Sequence, residues 1–203
     1  MSCLGNREKQ LLLELARCAL TQASEGRKSP VTLPQDPALV ESVGAFVTLR
    51  KRGRLRGCIG QIDSGQSLAE VVAHCAKSAA LEDPRFEPVR AEELCEIEIE
   101  LSVLSPSVQI APERIETGKH GLMVSSGLRR GVLLPQVAVE CHWTAERFLE
   151  QTCIKAGLAG DAWRDPETRI EAFTAEVFAE SDFRSGQLPG PTDRARPPYS
   201  TST

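Results

Sequence analysis

Apolar residues recur at helical spacing in three stretches of the chain. The pattern predicts amphipathic helices over residues 6–23, 67–81 and 144–156. Asn6 and Thr144 are residue types that cap helices, and Ser67 with Glu70 forms a capping box. Gly157 is of the type that ends a helix. Each predicted helix therefore carries at least one end signal.

Alternating and β-branched runs predict strands between these helices. Two hairpins are expected, residues 45–49 with 55–62 around Gly53, and residues 121–124 with 131–134 around Gly127. Residues 97–103 alternate between apolar side chains and carboxylates or a hydroxyl, which predicts a half-exposed antiparallel strand. Residues 170–178 are predicted to form a closing strand, and Pro135 is expected to end the second hairpin.

The order of these elements defines the expected fold. Each hairpin precedes a helix, and the connections are too short for a row of parallel crossovers. We predict an α+β fold over residues 1–182, a two-lobed single domain with a mainly antiparallel sheet and flanking helices. Residues 183–203 are rich in Gly, Pro, Ser, Thr and Arg, which predicts a disordered tail.

Composition narrows the functional classes. The net charge is −4, so no broad positive field favours nucleic acid or an anionic membrane. No apolar run approaches the roughly 20 residues of a membrane helix, and we expect a cytoplasmic protein. The seven cysteines are odd in number and are interpreted as reduced thiols. No metal-ligand spacing and no nucleotide-binding glycine fingerprint are present, so no metal site is predicted and the cofactor is left open.

The segment Leu55 to Gly60 is the strongest candidate site. Gly57 and Gly60 would let the backbone approach a ligand closely, with amides free to meet an oxygen or a phosphate. The basic run of residues 50–56 precedes Cys58, and nearby cations favour a thiolate. The alternative is a buried structural thiol between glycines that serve packing.

Three further features have both a functional and a structural interpretation. The segment Asp83 to Phe86 is a lid, or a turn with a phenylalanine plug. Glu96, Glu98 and Glu100 form a row that binds a metal or a cationic partner, or a solvated strand face. The basic run binds phosphate or RNA, or is a solvated hairpin tip.

The sequence Leu55-Arg56-Gly57-Cys58-Ile59-Gly60 resembles the signature of the AMMECR domain family. Later segments resemble further blocks of the family in the same order, namely residues 80–86, 119–122, 134–138 and 155–158. The resemblance extends over about residues 6–180. The pair Cys141-His142 departs from it, because the family pattern has Tyr or Glu followed by Gly there.

The resemblance implies a two-lobed α+β domain in which the Gly-Cys loop faces a groove between the lobes. It also implies that the gene lies near genes for a Memo-type protein and a radical-SAM protein. These two proteins are the expected partners. The Cys141-His142 pair is interpreted as noncatalytic.

Three hypotheses about function follow. In the first, the chain is an enzyme with Cys58 as nucleophile or redox thiol and His120 as base. In the second, the same loop and groove bind a small anionic ligand or a partner protein without catalysis. The third is RNA binding by the basic hairpin. The residues predicted to line the ligand site are Arg56, Gly57, Ile59, Gly60 and Gly121.

Overall fold

The computed structural model describes residues 4–27, 29–62 and 65–184. In chain order, the helices and strands are α1 (Asn6–Ser24), β1 (Ala45–Lys51), β2 (Arg54–Gln61), α2 (Leu68–Leu81), β3 (Ile97–Leu104), β4 (Val108–Gln109), β5 (Gly121–Ser126), β6 (Arg129–Leu133), α3 (Pro135–Glu140), α4 (Ala145–Lys155), β7 (Arg169–Phe173), β8 (Ala175–Ala179) and α5 (Ser181–Arg184). The predicted α+β fold is confirmed. Most of the predicted tail, residues 185–203, lies outside the described residues. No helix in the described part of the chain has the length and apolar character to cross a membrane.

The first of two compact units contains the chain up to Leu104 and resumes at Glu176. Its sheet has the strand order β2-β1-β3-β8, with β1 antiparallel to both of its neighbours. Alternate residues of β1 and β3, such as Val47 and Leu101, are fully buried in one cluster with apolar residues of α1 and α2. One face of this sheet therefore forms the core, and the other carries the polar positions.

The second unit spans Ser105–Ala175. Its sheet has the order β4-β7-β5-β6, and all three pairings are antiparallel. Phe148 and Leu149 of α4 pack in one buried cluster with Leu122 and Ile170 of the sheet. Each unit thus has its own hydrophobic core.

Both predicted hairpins are present with two-residue turns. Arg52 and Gly53 both have positive φ, which matches the right-handed twist of β1 and β2. Gly127 and Leu128 join β5 to β6. In the first hairpin the pairing shifts after Leu49, so that Arg56 is the extra residue of a bulge.

The helix starts follow the predicted caps with one exception. Ser67 and Glu70 make both hydrogen bonds of the capping box. The Thr144 hydroxyl accepts a hydrogen bond from the amide of Arg147 at 3.2 Å. The prediction that Asn6 caps α1 is wrong, because the chain is already helical at this residue and the cap position falls on Gly5.

Three helices end in the same way, with a residue of positive φ just after the cap. These residues are Gly26 (φ 68°), His142 (φ 53°) and Gly157 (φ 73°). The next amide donates to a carbonyl five residues earlier in every case; for α3, Trp143 donates to Ala138 at 2.9 Å. His142 therefore occupies a position that favours glycine. Its place at the helix end gives the Cys141-His142 pair a structural explanation.

The predicted closing strand of residues 170–178 is in fact two strands in different sheets. β7 belongs to the second unit, whereas β8 lies beside β3 in the first sheet. The break falls at Thr174, whose amide and carbonyl both bond to Ser105 at 2.9 Å. The prediction that Pro135 only ends a strand is also incomplete, because Pro135 is the first residue of α3, where its missing N–H costs nothing.

Candidate functional site

Cys58 lies on the polar face of the first sheet. In the register of the three strands, Cys58 of β2 stands opposite Thr48 of β1, and Thr48 stands opposite Glu100 of β3. Since side chains alternate between faces, the same face carries a defined set of residues. This polar face consists of Phe46, Thr48, Arg50, Cys58, Gly60, Glu98, Glu100 and Ser102.

The sulfur of Cys58 is half-buried and accepts a hydrogen bond. The Thr48 hydroxyl, itself buried, lies 3.4 Å from Cys58 Sγ. Burial raises the pKa of the Cys58 thiol, and the Thr48 hydrogen bond and the Arg85 charge offset this only in part. The thiol is therefore protonated at neutral pH. The expected lowering of its pKa by the basic run is not what the structure shows.

The backbone of Cys58 is held by two side chains from the segment after α2. Its amide donates to Asp83 Oδ2 at 2.8 Å, and Arg85 Nη2 donates to its carbonyl at 3.3 Å. Arg85 also binds the Asp83 carboxylate, with Nη2 2.7 Å from Oδ2. Burial alone would raise the pKa of Asp83, but these hydrogen bonds lower it below its ordinary value. The segment Asp83 to Phe86 thus contacts the candidate site directly.

The glycines of the loop have close neighbours that explain them. A Cβ on Gly57 would collide with the carbonyl oxygen of Ala79 in α2, and one on Gly60 would collide with the ring of Phe46. Both glycines lie within β2, and neither is among the residues with positive φ. Ile59 packs against the core of the first unit. Packing, not an unusual backbone angle, is what these positions require.

The basic run is matched by carboxylates, not left free. Arg50 pairs with Glu100 at 3.6 Å, and Arg52 pairs with Glu96. Glu93 binds both Lys51 Nζ and Arg56 Nη2 at 2.9 Å, and these cations lower its pKa to about 2, with the Arg56 hydrogen bond as the largest cause. The hairpin tip is solvent-exposed, with 77% of the Arg52 side chain accessible, but the basic run and the row of glutamates are not separate, because they form ion pairs with each other. This pairing also leaves little basic charge for RNA.

Glu98 is the acidic residue of the polar face whose contacts remain incomplete. Its Oε1 is buried and has no hydrogen-bond partner among the described residues. It stands opposite Arg50 in the register. Within residues 4–27, 29–62 and 65–184, no group of three or more His, Cys, Asp or Glu side chains is arranged to hold a metal ion.

The predicted base, His120, lies in the second unit, whereas Cys58 lies in the first. His120 Nδ1 accepts a hydrogen bond from the amide of Glu116 at 3.1 Å. In the neutral ring the proton is then on Nε2, which leaves a donor and not a base. Gly121 lies under the ring of Phe173, where a Cβ would collide with it. Both residues therefore have local structural roles.

Sequence reasoning missed Thr48, and it singled out the segment that contains Asp83 and Arg85 without placing it against Cys58. The signal for Thr48 was present, since it alternates with buried Val47 and Leu49 in the first strand. The role of Asp83 and Arg85 has no local signal, because they contact Cys58 from 25 and 27 residues away.

The fold is that of an α+β protein with two antiparallel sheets. The site is a half-buried cysteine on the polar face of the first sheet, and the backbone of this cysteine is bonded to an acidic and a basic side chain. A family model covers residues 13–178 of the sequence. The chain belongs to the AMMECR1 family, which confirms the resemblance.

Relatives extend this assignment over most of the chain. A protein of Methanothermobacter thermautotrophicus is 44% identical over 186 residues, covering 87% of this chain and 96% of its own. A protein of Thermococcus gammatolerans is 45% identical and covers 84% and 89%. The crystal structure of the uncharacterised protein PH0010 from Pyrococcus horikoshii is similar with a TM-score of 0.75 and 41% identity, covering 83% of this chain and 89% of that one.

Proposed function

We propose that the chain is a binding module that holds a small ligand or a partner protein on the polar face of its first sheet, with Cys58 as a neutral thiol. The observation that carries this proposal is the burial of the Cys58 sulfur against the Thr48 hydroxyl, 3.4 Å away, and this burial raises the pKa of the thiol. Thiolate, not thiol, is the nucleophile and the redox-active form of cysteine. A protonated Cys58 is thus suited to packing and weak hydrogen bonding against a ligand.

Two further features of the polar face support recognition. Thr48 fixes the sulfur while Asp83 and Arg85 fix the backbone, so the site is rigid before a ligand arrives. The buried Glu98 Oε1 lacks a donor, and a ligand group that carries an N–H or O–H would supply one. We therefore propose a ligand that donates hydrogen bonds, in place of the anion expected from the basic run.

The pH dependence of thiol alkylation separates binding from cysteine chemistry. With each cysteine located by peptide mass spectrometry, the exposed Cys18, Cys95 and Cys141 should label first. Cys58 should label slowly, with an apparent pKa above its ordinary 9.0. Fast labelling of Cys58 with an apparent pKa below that value would overturn the neutral-thiol proposal.

Binding itself is tested with the partners that the family resemblance implies. Sedimentation velocity of the chain with a purified Memo-type or radical-SAM protein measures each complex. We expect Cys58→Ser to keep the affinity within about threefold, because Ser retains the size and polarity of the position. Glu98→Ala should weaken the complex at least about tenfold, because it removes the unpaired acceptor. Equal affinity of Glu98→Ala and wild type would exclude Glu98 Oε1 as the acceptor of a hydrogen bond from the partner.

A cysteine-dependent enzyme is the second candidate. The Thr48 hydrogen bond and the positive charge of Arg85 both act to favour the thiolate of Cys58. In this candidate the Cys58 thiolate attacks an electrophilic centre of the substrate and displaces its leaving group, and trapping of a stoichiometric covalent adduct at Cys58 alone is the expected result.

A further inference from the structure

The outer edge of β2 is covered by side chains instead of a strand. β2 is the first strand of the order β2-β1-β3-β8, so one side of its backbone has no neighbouring strand among the described residues. On that side the amide of Cys58 donates to Asp83 Oδ2, and the carbonyl of Cys58 accepts from Arg85 Nη2. These are the two hydrogen bonds that a residue of an added antiparallel strand would make with Cys58.

The covering segment is itself firmly attached. Asp83 is only 5% exposed, and the Arg85 guanidinium binds its carboxylate through both Nε and Nη2. Two residues before Cys58, the bulge residue Arg56 donates from Nη1 to the carbonyl of Glu87 at 2.8 Å. The segment therefore runs along the edge of β2 and is bonded to it at two positions.

We propose that Asp83 and Arg85 form an edge cap, which prevents β2 from pairing with β2 of a second copy of this chain. An unpaired strand edge is a template for such pairing, and proteins block it with charges or covering segments. The Asp83 carboxylate takes the place of the carbonyl of a neighbouring strand as hydrogen-bond acceptor. The Arg85 guanidinium takes the place of the amide of such a strand as donor. This role does not depend on what the polar face binds.

The test compares wild type with a double variant that carries both Asp83→Ala and Arg85→Ala. Amide hydrogen exchange, measured at a protein concentration low enough to keep the variant monomeric, should show the Cys58 amide exchanging at least about tenfold faster than in wild type. Sedimentation velocity should show association that increases with protein concentration, while wild type stays at its original size. The matched control removes the surface ion pair of Arg147 and Glu150 in α4, which caps no strand and should change neither measurement.

Each result is decisive. Unchanged exchange of the Cys58 amide overturns the cap, and faster exchange without association overturns its role against pairing. If the double variant does not fold, Arg85→Ala alone gives the answer, because Arg85 is 43% exposed and its loss leaves the buried carboxylate in place. This single variant should expose the Cys58 carbonyl and associate more than wild type, and a strictly unchanged size would contradict the cap.

Discussion

At Cys58, the sulfur and the backbone have different partners. The sulfur accepts a hydrogen bond from Thr48, whereas the amide and carbonyl are bonded to Asp83 and Arg85. Substitutions can therefore change the acidity of the thiol without releasing the strand. The acidity of the Cys58 thiol can therefore be measured in variants that keep the backbone hydrogen bonds of β2.

Replacement of Thr48 tests control of the thiol. Thr48→Val keeps the shape of a buried, β-branched side chain but removes the hydroxyl that lowers the Cys58 pKa. The apparent pKa of Cys58 should rise further, and its alkylation at pH 8.5 should slow about threefold or more. The measurement is the rate of iodoacetamide labelling against pH.

Ser102→Ala is the control for this substitution. Ser102 is buried on the same face but stands opposite Phe46, which is two residues from Thr48 along β1. Its loss should leave the labelling profile of Cys58 in place. An equal shift in both variants would mean that general polarity, and not the Thr48 hydroxyl, sets the pKa.

His142 holds a backbone conformation that favours glycine. His142→Gly should therefore raise the free energy of unfolding by about 0.5–1 kcal/mol, because it removes the strain of a side chain at φ 53°. Thermal unfolding followed by circular dichroism measures the change. The opposite substitution at the equivalent place, Gly157→Ala, should destabilise by a similar amount. A loss of stability in His142→Gly would show that the imidazole contributes more than the backbone strain costs.

At the scale of elements, β2 and α2 meet through backbone contact. Gly57 faces α2, and its missing side chain lets the strand approach the carbonyl of Ala79. The helix begins at its capping box only six residues after the strand ends, so hairpin and helix form one local unit. The contact sets the position of Cys58, which follows Gly57 directly.

Enlarging this contact should be costly. Gly57→Ala should lower the free energy of unfolding by about 2–4 kcal/mol, because the new methyl meets backbone that cannot rotate away. Urea unfolding gives the value. Gly160→Ala is the matched control, since a Cβ there has its nearest neighbour at 3.8 Å and should change stability by no more than about 0.5 kcal/mol. Equal effects of the two variants would contradict the close contact.

The elements that sequence predicted well are those with local signals. Both hairpins and three long helices follow from periodicity, turn glycines and caps, all contained within a few residues. The break at Thr174 carries no such signal, because it depends on Ser105, which is 69 positions away. The charge around Cys58 was also misjudged, since Glu93 meets Arg56 only after folding. Contacts between distant parts of the chain determine both the break at Thr174 and the charge around Cys58.

At the scale of the whole molecule, ion pairs hold distant segments together. Arg17 of α1 binds Glu180 through Nε at 2.8 Å, and Glu180 also accepts from the amide of Ile99 at 3.1 Å. Glu93 likewise joins a short 3₁₀ helix, Ala91–Glu96, to the first hairpin. The first unit therefore depends on ionised carboxylates for part of its stability.

Acid should weaken the first unit. The folded pKa of Glu93 is about 2, below its ordinary 4.5, so its contribution to stability is complete above about pH 5 and is lost as pH falls from 4.5 toward 2. Glu93→Gln should lower the free energy of unfolding at pH 7 by about 1–2 kcal/mol, and the difference from wild type should vanish near pH 2. Urea unfolding at several pH values, followed by far-ultraviolet circular dichroism, measures this.

A surface pair supplies the comparison for the acid experiment. Glu150→Gln breaks a pair with Arg147 whose side chains are 34% and 54% exposed, and should have little effect at any pH. Tryptophan fluorescence would be the wrong probe, because Trp143 and Trp163 both lie in the second unit. A pH-independent difference between Glu93→Gln and wild type would show that the carboxylate charge is not what stabilises the hairpin.

The passage of the chain from β7 to β8 has a consequence for synthesis on the ribosome. Within the described residues the second unit is one continuous segment, so its strands emerge before the first unit is complete. The first unit must wait for β8 and for Glu180, the partner of Arg17, which emerge among the last residues of the described chain. The nascent protein therefore carries an open strand edge at β3 until β8 has emerged.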